Sequence, residues 1–96
     1  MSISSASPRF TDKQGQYLAF IYTYGLINRR PPAEADIQAF FGVTPPSVHN
    51  MVLQLERCGL IRRVPRQARS ITVLVEPDDL PRLRPVQSIE ITGAGY

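Results

Sequence analysis

Polar side chains recur at helical spacing near the middle of the chain, at Thr44, Ser47, Asn50 and Gln54, with His49 beside them. Apolar side chains recur at helical spacing among them, at Val48, Val52 and Leu55. This pattern predicts a helix with one side against a core and the other side in solvent. Amide side chains can form paired hydrogen bonds with adenine, and hydroxyl groups can contact bases or phosphates. The polar side of this helix is therefore a candidate surface for double-stranded DNA.

Four arginines follow the helix, at Arg62, Arg63, Arg66 and Arg69. Arg66, Gln67 and Arg69 lie in a short interruption between two β-rich runs, where the loop of a hairpin is expected. A guanidinium group forms bidentate contacts with phosphate, so this loop is a candidate for contact with the DNA backbone or the minor groove. A solvated hairpin is the alternative interpretation, and the position of the arginines on the loop favours DNA contact.

The residue types needed for other chemistry are sparse. His49 and Cys58 are the single histidine and the single cysteine, and their spacing does not suit a pair of metal ligands. The sequence contains no Gly-rich phosphate loop, no metal-spaced His/Cys cluster and no nucleophile motif. We therefore predict no enzyme activity and no cofactor, metal or small-molecule site. Cys58 is interpreted as a half-buried structural thiol.

Length and composition are typical of one small intracellular domain. The chain has 96 residues and a formal net charge of +3. Its positive charge is concentrated in residues 1–75, whereas residues 76–96 carry a slight excess of acids. A lone cysteine, and the lack of a signal peptide or a long apolar run, favour a cytoplasmic location. A bacterial DNA-binding protein of this kind would associate with the nucleoid when bound.

Local signals indicate the elements that position the candidate residues. Thr11 and Gln14 form a capping-box pattern, Pro31-Pro32 ends the first helical segment, and Gly42 and Gly59 end the next two. We predict helices over residues 12–28, 33–41 and 45–58, and strands over residues 60–64 and 70–75. Three helices followed by a two-stranded hairpin is a mainly α fold with a small β-hairpin (α+β), the winged helix-turn-helix arrangement.

Three regions follow from this assignment. Residues 1–9 are predicted to be a disordered N-terminal arm, and residues 10–75 to be the winged helix-turn-helix domain. Residues 76–96 are predicted to be a proline-rich linker and tail. Within the tail, residues 86–91 are a candidate dimerisation strand.

Several motifs of the chain resemble the N-terminal DNA-binding domain of LexA-type repressors: Phe10-Thr11 with Gln14, Pro31-Pro32, Ile37, the run Leu55–Ile61 and Ser70-Ile71. Residues 44–61 alone are also similar to other winged-helix regulators, including the MarR class. The resemblance implies base-contacting positions at Thr44, Pro46, Ser47, His49 and Asn50. The chain departs from the family at Ala33, where a hydroxyl residue is usual. It also ends at Tyr96, without the family's self-cleaving peptidase domain.

These observations predict a sequence-specific double-stranded DNA-binding transcriptional regulator, with a repressor favoured and a homodimer expected on a two-fold operator. Its predicted DNA-binding residues are Thr44, Pro46, Ser47, His49, Asn50, Gln54, Arg66, Gln67 and Arg69. Two alternatives stay open. The winged helix could serve protein–protein contact without specific DNA binding, since its third helix contains one basic residue, Arg57. The chain could also be the DNA-binding fragment of a larger self-cleaving repressor.

Overall fold

The computed structural model describes residues 10–85. Its elements in chain order are α1 (Asp12–Asn28), α2 (Glu34–Phe41), α3 (Pro45–Arg57), β1 (Ile61–Arg62) and β2 (Thr72–Val73), followed by a single 3-10 turn at Pro77–Asp79. Three helices and an antiparallel two-stranded hairpin confirm the mainly α fold with a small β-hairpin and the winged helix-turn-helix arrangement. The predicted arm (residues 1–9) and the predicted dimerisation strand (residues 86–91) lie outside the described residues.

Helix α1 begins with the predicted capping box. The Thr11 hydroxyl accepts a hydrogen bond from the Gln14 amide at 3.1 Å, and the Thr11 amide donates to Gln14 Oε1 at 2.9 Å. Two amide groups that lack a partner within the helix are therefore satisfied at once. The helix ends at Arg29, which adopts the left-handed conformation and donates its amide to the Gly25 carbonyl. The bounds predicted for this helix are confirmed.

Helix α3 is also delimited by local chemistry. Thr44 caps its start, Pro45 occupies its first position, and Gly59 follows its end with a φ of +75°. The Leu60 amide donates to the Leu55 carbonyl and the Gly59 amide to the Glu56 carbonyl, which is the hydrogen-bond pattern of a Schellman motif. This turn directs Leu60 into the core, where it is 2% exposed, and starts the hairpin.

One apolar core joins the three helices to the hairpin. Val48, Val52 and Leu55 are fully buried, as the sequence predicts, and pack with residues of α1, α2 and both strands. Tyr17 of α1 stacks on Phe41 of α2 with 4.2 Å between ring centroids. The core thus holds α3 by its apolar side and leaves its polar side in solvent. Among residues 10–85, no helix is long and apolar enough to cross a membrane.

The hairpin is shorter than the sequence predicts. The strands pair in register Ile61–Val73 and Arg62–Thr72, two residues each rather than five and six. The Ser70 hydroxyl accepts from the Val64 amide at 2.9 Å and donates to the Val64 carbonyl at 3.2 Å, so a side chain replaces the strand pairing there. Pro65 lacks an amide hydrogen, and Arg66 turns the chain in the left-handed conformation. The result is a short ladder with a long loop, the wing (residues 63–70).

The segment that follows β2 packs along α1, where a linker is predicted from the sequence. Leu80 and Leu83 pack against the core. The Gln16 side chain donates to the Arg82 carbonyl and accepts from the Arg84 amide, both at 2.9 Å. The buried Gln16 side chain thus satisfies one carbonyl and one amide of this segment, as a paired β-strand would. We call residues 80–84 the strap.

Candidate nucleic-acid interface

The candidate residues of α3 all lie on its exposed side: Thr44, Pro46, Ser47, His49, Asn50 and Gln54. Part of their hydrogen-bonding capacity serves the helix itself. The Thr44 hydroxyl accepts from the Ser47 amide at 3.4 Å and lies 2.9 Å from the Ser47 hydroxyl. Asn50 has no such partner among residues 10–85, so both ends of its amide are open to a ligand. The surface therefore presents hydroxyl groups at the helix start and a carboxamide one turn later.

His49 connects α3 to the start of α2. Its Nδ1 lies 3.2 Å from a Glu34 carboxylate oxygen, and both side chains are substantially exposed. Glu34 also lines a cavity of about 270 Å³ together with Arg66 and Gln67 of the wing. The N-terminal half of α3, the start of α2 and the wing therefore border one face of the molecule.

Two wing residues line the cavity at that face. Arg66 and Gln67 are exposed, and Arg66 has a φ of +67°. The left-handed conformation is uncommon for a residue other than glycine, asparagine or aspartate. Arg29 and Arg69 adopt the same conformation, so it reflects the turns of the chain at these positions.

Arg69, which is predicted to contact DNA, forms an ion pair and hydrogen bonds within the protein. Its Nη1 lies 3.0 Å from Asp36 Oδ2, 3.1 Å from the Tyr24 hydroxyl and 3.3 Å from the Pro31 carbonyl. These contacts join the wing to both α1 and α2. The guanidinium charge is thereby compensated within the protein, so Arg69 is suited to holding the wing in place.

Asp36 is the acidic centre of this contact. Its carboxylate also accepts from the Ala33 amide at 2.8 Å, so α2 has a partner for its first amide although Ala33 has no capping side chain. The hydrogen bond from Ala33 and the charge of Arg69 lower the pKa of Asp36, against the opposing effect of its partial burial. The hydrogen bond with the Tyr24 hydroxyl and the charge of Asp36 raise the pKa of Arg69.

The two other arginines of the hairpin differ in their surroundings. Arg63 Nε donates to Glu56 Oε1 of α3 at 3.0 Å, which joins the wing to the last turn of that helix. Arg62 is exposed on β1. Basic charge therefore extends from β1 to the wing loop, with Arg62 and Arg66 as its uncompensated members within residues 10–85.

Sequence patterns missed several residues of this face. Glu34 and Asp36 are explained from sequence by the dipole of α2, and Tyr24 by the core. Their contacts with His49 and Arg69 come from folding and have no local signal. Cys58 is exposed, so its interpretation as a half-buried thiol was wrong. It lies beyond the core-facing turn of α3, where the chain already leaves the helix. Among the described residues, no group of three His, Cys, Asp or Glu side chains could hold a metal ion.

Comparisons with known proteins place the chain beside LexA repressors. No family model matches it. It is 38% identical over 68 residues to a LexA repressor of Thermosipho africanus, covering 71% of this chain and 34% of the relative. It is 34% identical over 87 residues to a LexA repressor of Thermosipho melanesiensis, covering 91% of this chain and 43% of the relative.

A LexA repressor of Magnetococcus marinus is 38% identical over 74 residues, which covers 68% of this chain and 32% of the relative. The chain thus spans roughly a third to two fifths of the length of these curated relatives. The resemblance to LexA-type repressors that the sequence motifs indicate is confirmed, and residues 10–85 form a LexA-like winged helix-turn-helix domain.

Proposed function

We propose that this chain is a sequence-specific double-stranded DNA-binding transcriptional repressor. In this proposal α3 enters the major groove and the wing contacts the backbone or the minor groove. The observation that carries the proposal is the single face shared by the exposed polar side of α3 and the arginine-bearing wing, with Glu34 bordering both. The name that the curated relatives share, LexA repressor, supports the repressor class.

Individual roles follow from exposure and chemistry. Asn50 and Ser47 are proposed to contact base edges, because an amide and a hydroxyl can each read a base in the major groove. Thr44, Pro46 and His49 are proposed to lie at the groove around the start of α3. Arg66 and Gln67 are proposed to contact phosphate or the minor groove. For Arg69 the role proposed from the structure is to position the wing rather than to contact DNA.

A homodimer is proposed as the binding species. One domain of this size contacts a short DNA segment, and two copies on a two-fold operator would double the contacts. Light scattering of the free protein and of its DNA complex tests this proposal. A mass of one chain per duplex at saturation would contradict it.

Fluorescence anisotropy on duplex DNA tests the central proposal. The probes are a random-sequence duplex and the best duplex selected by the protein from a random library, at two salt concentrations. Binding is expected to be tighter on the selected duplex and to weaken steeply with salt, because phosphate contacts release counterions. Arg66→Ala is expected to reduce the salt slope by about 1 and to weaken binding to both duplexes similarly.

Arg30→Ala is the charge-matched control. Arg30 lies in a different groove, which is lined by Tyr22, Leu26 and Val73. Its loss is expected to change the affinity and the salt slope less than the loss of Arg66. Equal effects of the two variants would contradict the wing assignment. No binding at low salt would overturn the function and favour the protein–protein interaction module.

A further inference from the structure

A short hydrogen-bond chain determines how the Gln14 side chain is oriented. The Thr11 backbone amide can only donate, and it donates to Gln14 Oε1 at 2.9 Å. The nitrogen of the Gln14 carboxamide must therefore lie on the other side.

The same chain continues into α3. Gln14 Nε2 donates to Gln54 Oε1 at 2.7 Å, across 40 residues of sequence. Gln14 is 7% exposed, whereas Gln54 is exposed. The hydrogen bond from Gln14 anchors the oxygen of Gln54 and uses none of its donors, so the NH2 group of Gln54 stays available to donate to an external ligand.

Gln54 also lies on the side of α3 that the proposed function assigns to DNA. It follows Ser47 by seven residues and Asn50 by four, and residues at these spacings share one side of a helix. We infer that Gln14 is a positioning residue which makes Gln54 a hydrogen-bond donor toward DNA, and that its ligand is an acceptor: a phosphate oxygen, or an acceptor atom on the edge of a base.

This inference rests on the proposed DNA-binding function and refines it. The sequence suggests that Gln54 could form the bidentate pair with adenine, which requires a free amide oxygen as well as a free nitrogen. The hydrogen bond from Gln14 occupies one of the two lone pairs of that oxygen and fixes the orientation of the carboxamide, so donation from the NH2 group is the contact that we infer. Guanine presents O6 and N7, adenine presents N7 and thymine presents O4 in the major groove, so these atoms match a donor.

The decisive variant is Gln14→Glu, which changes a residue beneath the surface. The introduced carboxylate still accepts from the Thr11 amide, so the capping box is retained and the helix start should fold. It cannot donate to Gln54. The Gln54 amide is then expected to rotate, to donate its NH2 to the introduced carboxylate and to present its oxygen outward. Affinity for the selected duplex is expected to fall about tenfold, the usual effect of losing one hydrogen bond to a charged or well-placed acceptor.

Asn28→Asp is the matched control, because it makes the same amide-to-carboxylate change at the other end of α1. Gln54→Met supplies the second test, since it removes the donor while keeping the length of the side chain. In the Gln54→Met background, Gln14→Glu is expected to lower the DNA affinity no more than Asn28→Asp does. A roughly tenfold loss of DNA affinity in that background would show that Gln14 acts through the fold and not through Gln54, and would overturn the inference.

The pattern of binding across duplexes identifies the acceptor. Uniform weakening of random and selected duplexes by Gln14→Glu indicates a phosphate oxygen. A change of preference at one base pair, toward adenine or cytosine with their exposed amino groups, indicates a base. Either pattern supports the inference. If the unmodified protein binds DNA but Gln14→Glu behaves as Asn28→Asp does, the inference alone falls. If the unmodified protein binds no duplex, the proposed function falls, and the inference falls with it.

Discussion

The ion pair between Asp36 and Arg69 joins the wing to the helical body through single side chains. Asp36 Oδ2 and Arg69 Nη1 lie 3.0 Å apart, and Tyr24 and the Pro31 carbonyl complete the surroundings of the guanidinium. Both side chains are about one third exposed, so water screens part of their attraction. Their main contribution is to position the wing relative to α2.

Acid is expected to weaken this contact. The pKa of Asp36 lies below its ordinary value of 3.8 in the folded protein, so the folded state favours the charged carboxylate. The resulting stabilisation is present above the unfolded-state pKa and is lost as the pH falls through the folded-state pKa. Asp36→Asn is expected to lower the free energy of unfolding by about 1 kcal/mol at neutral pH. In urea titrations, the difference from the unmodified protein should shrink as the pH falls below the ordinary pKa of 3.8.

Asp78→Asn is the control for that measurement, because Asp78 is an exposed acid on the 3-10 turn. Its effect on stability should be small at every pH. If Asp36→Asn and Asp78→Asn gave the same pH dependence, the contact of Asp36 with Ala33 and Arg69 would not contribute to stability.

At the scale of elements, α1 is built so that two segments can cross its first turns closely. A Cβ atom on Gly15 would lie 2.9 Å from Phe10 Cε1 and 3.0 Å from Pro81 Cγ. Glycine at this position therefore allows Phe10 and Pro81 to pack closely against α1. This requirement distinguishes Gly15 from Gly25 of the same helix, where a Cβ would meet no atom within 4 Å.

Alanine at these two glycines is expected to have opposite effects. Gly25→Ala should raise the free energy of unfolding by up to about 1 kcal/mol, because alanine is the better helix former. Gly15→Ala gains the same contribution but must displace Phe10 and Pro81, and such overpacking costs about 1–3 kcal/mol. Thermal denaturation should show a higher midpoint for Gly25→Ala and a lower one for Gly15→Ala. Stabilisation by both variants would contradict the close approach at Gly15.

The turn between α3 and β1 is a second element with a sharp requirement. Gly59 has a φ of +75° with open space around its Cβ position, so a substitution there is strained by the backbone alone. Gly59→Ala is expected to cost about 1–2 kcal/mol of stability. Chemical denaturation is the measurement. A cost near zero would mean that the Schellman turn can rearrange without disturbing Leu60.

At the scale of the whole molecule, the strap makes residues beyond the hairpin part of the folded unit. Leu80 and Leu83 add apolar contacts to the core, and the Gln16 side chain donates one hydrogen bond to the strap backbone and accepts another from it. Arg84 adds an ion pair to Asp12 at 2.8 Å, which is largely exposed and contributes little. The segment thus packs against α1 and the core.

Truncation measures this contribution. A chain ending after Val75 is expected to be less stable than one ending after Pro85 by about 2 kcal/mol, from the partial burial of two leucine side chains. The chain ending after Pro85 controls for the loss of the remaining tail. Equal unfolding midpoints for the two truncations would support the predicted domain boundary at residue 75.

Local signals in the sequence are sufficient to predict the three helices and the exposed side of α3. Capping residues act within three or four positions, and a helix repeats its core contacts every three or four residues, so Thr11, Gly59 and the apolar positions of α3 carry their information locally. Local patterns also predict the arginine-bearing loop, and sequence motifs carry the resemblance to LexA-type repressors.

Contacts between distant segments were decided by the tertiary structure. The hydrogen bond of Gln14 with Gln54 spans 40 residues and that of Gln16 with Arg84 spans 68. Arg66 and Arg69 have the same chemistry and neighbouring positions, yet one faces solvent and the other faces Asp36. A local pattern cannot distinguish them, because the direction of each side chain depends on which acceptor the packing of α1, α2 and the wing places within reach.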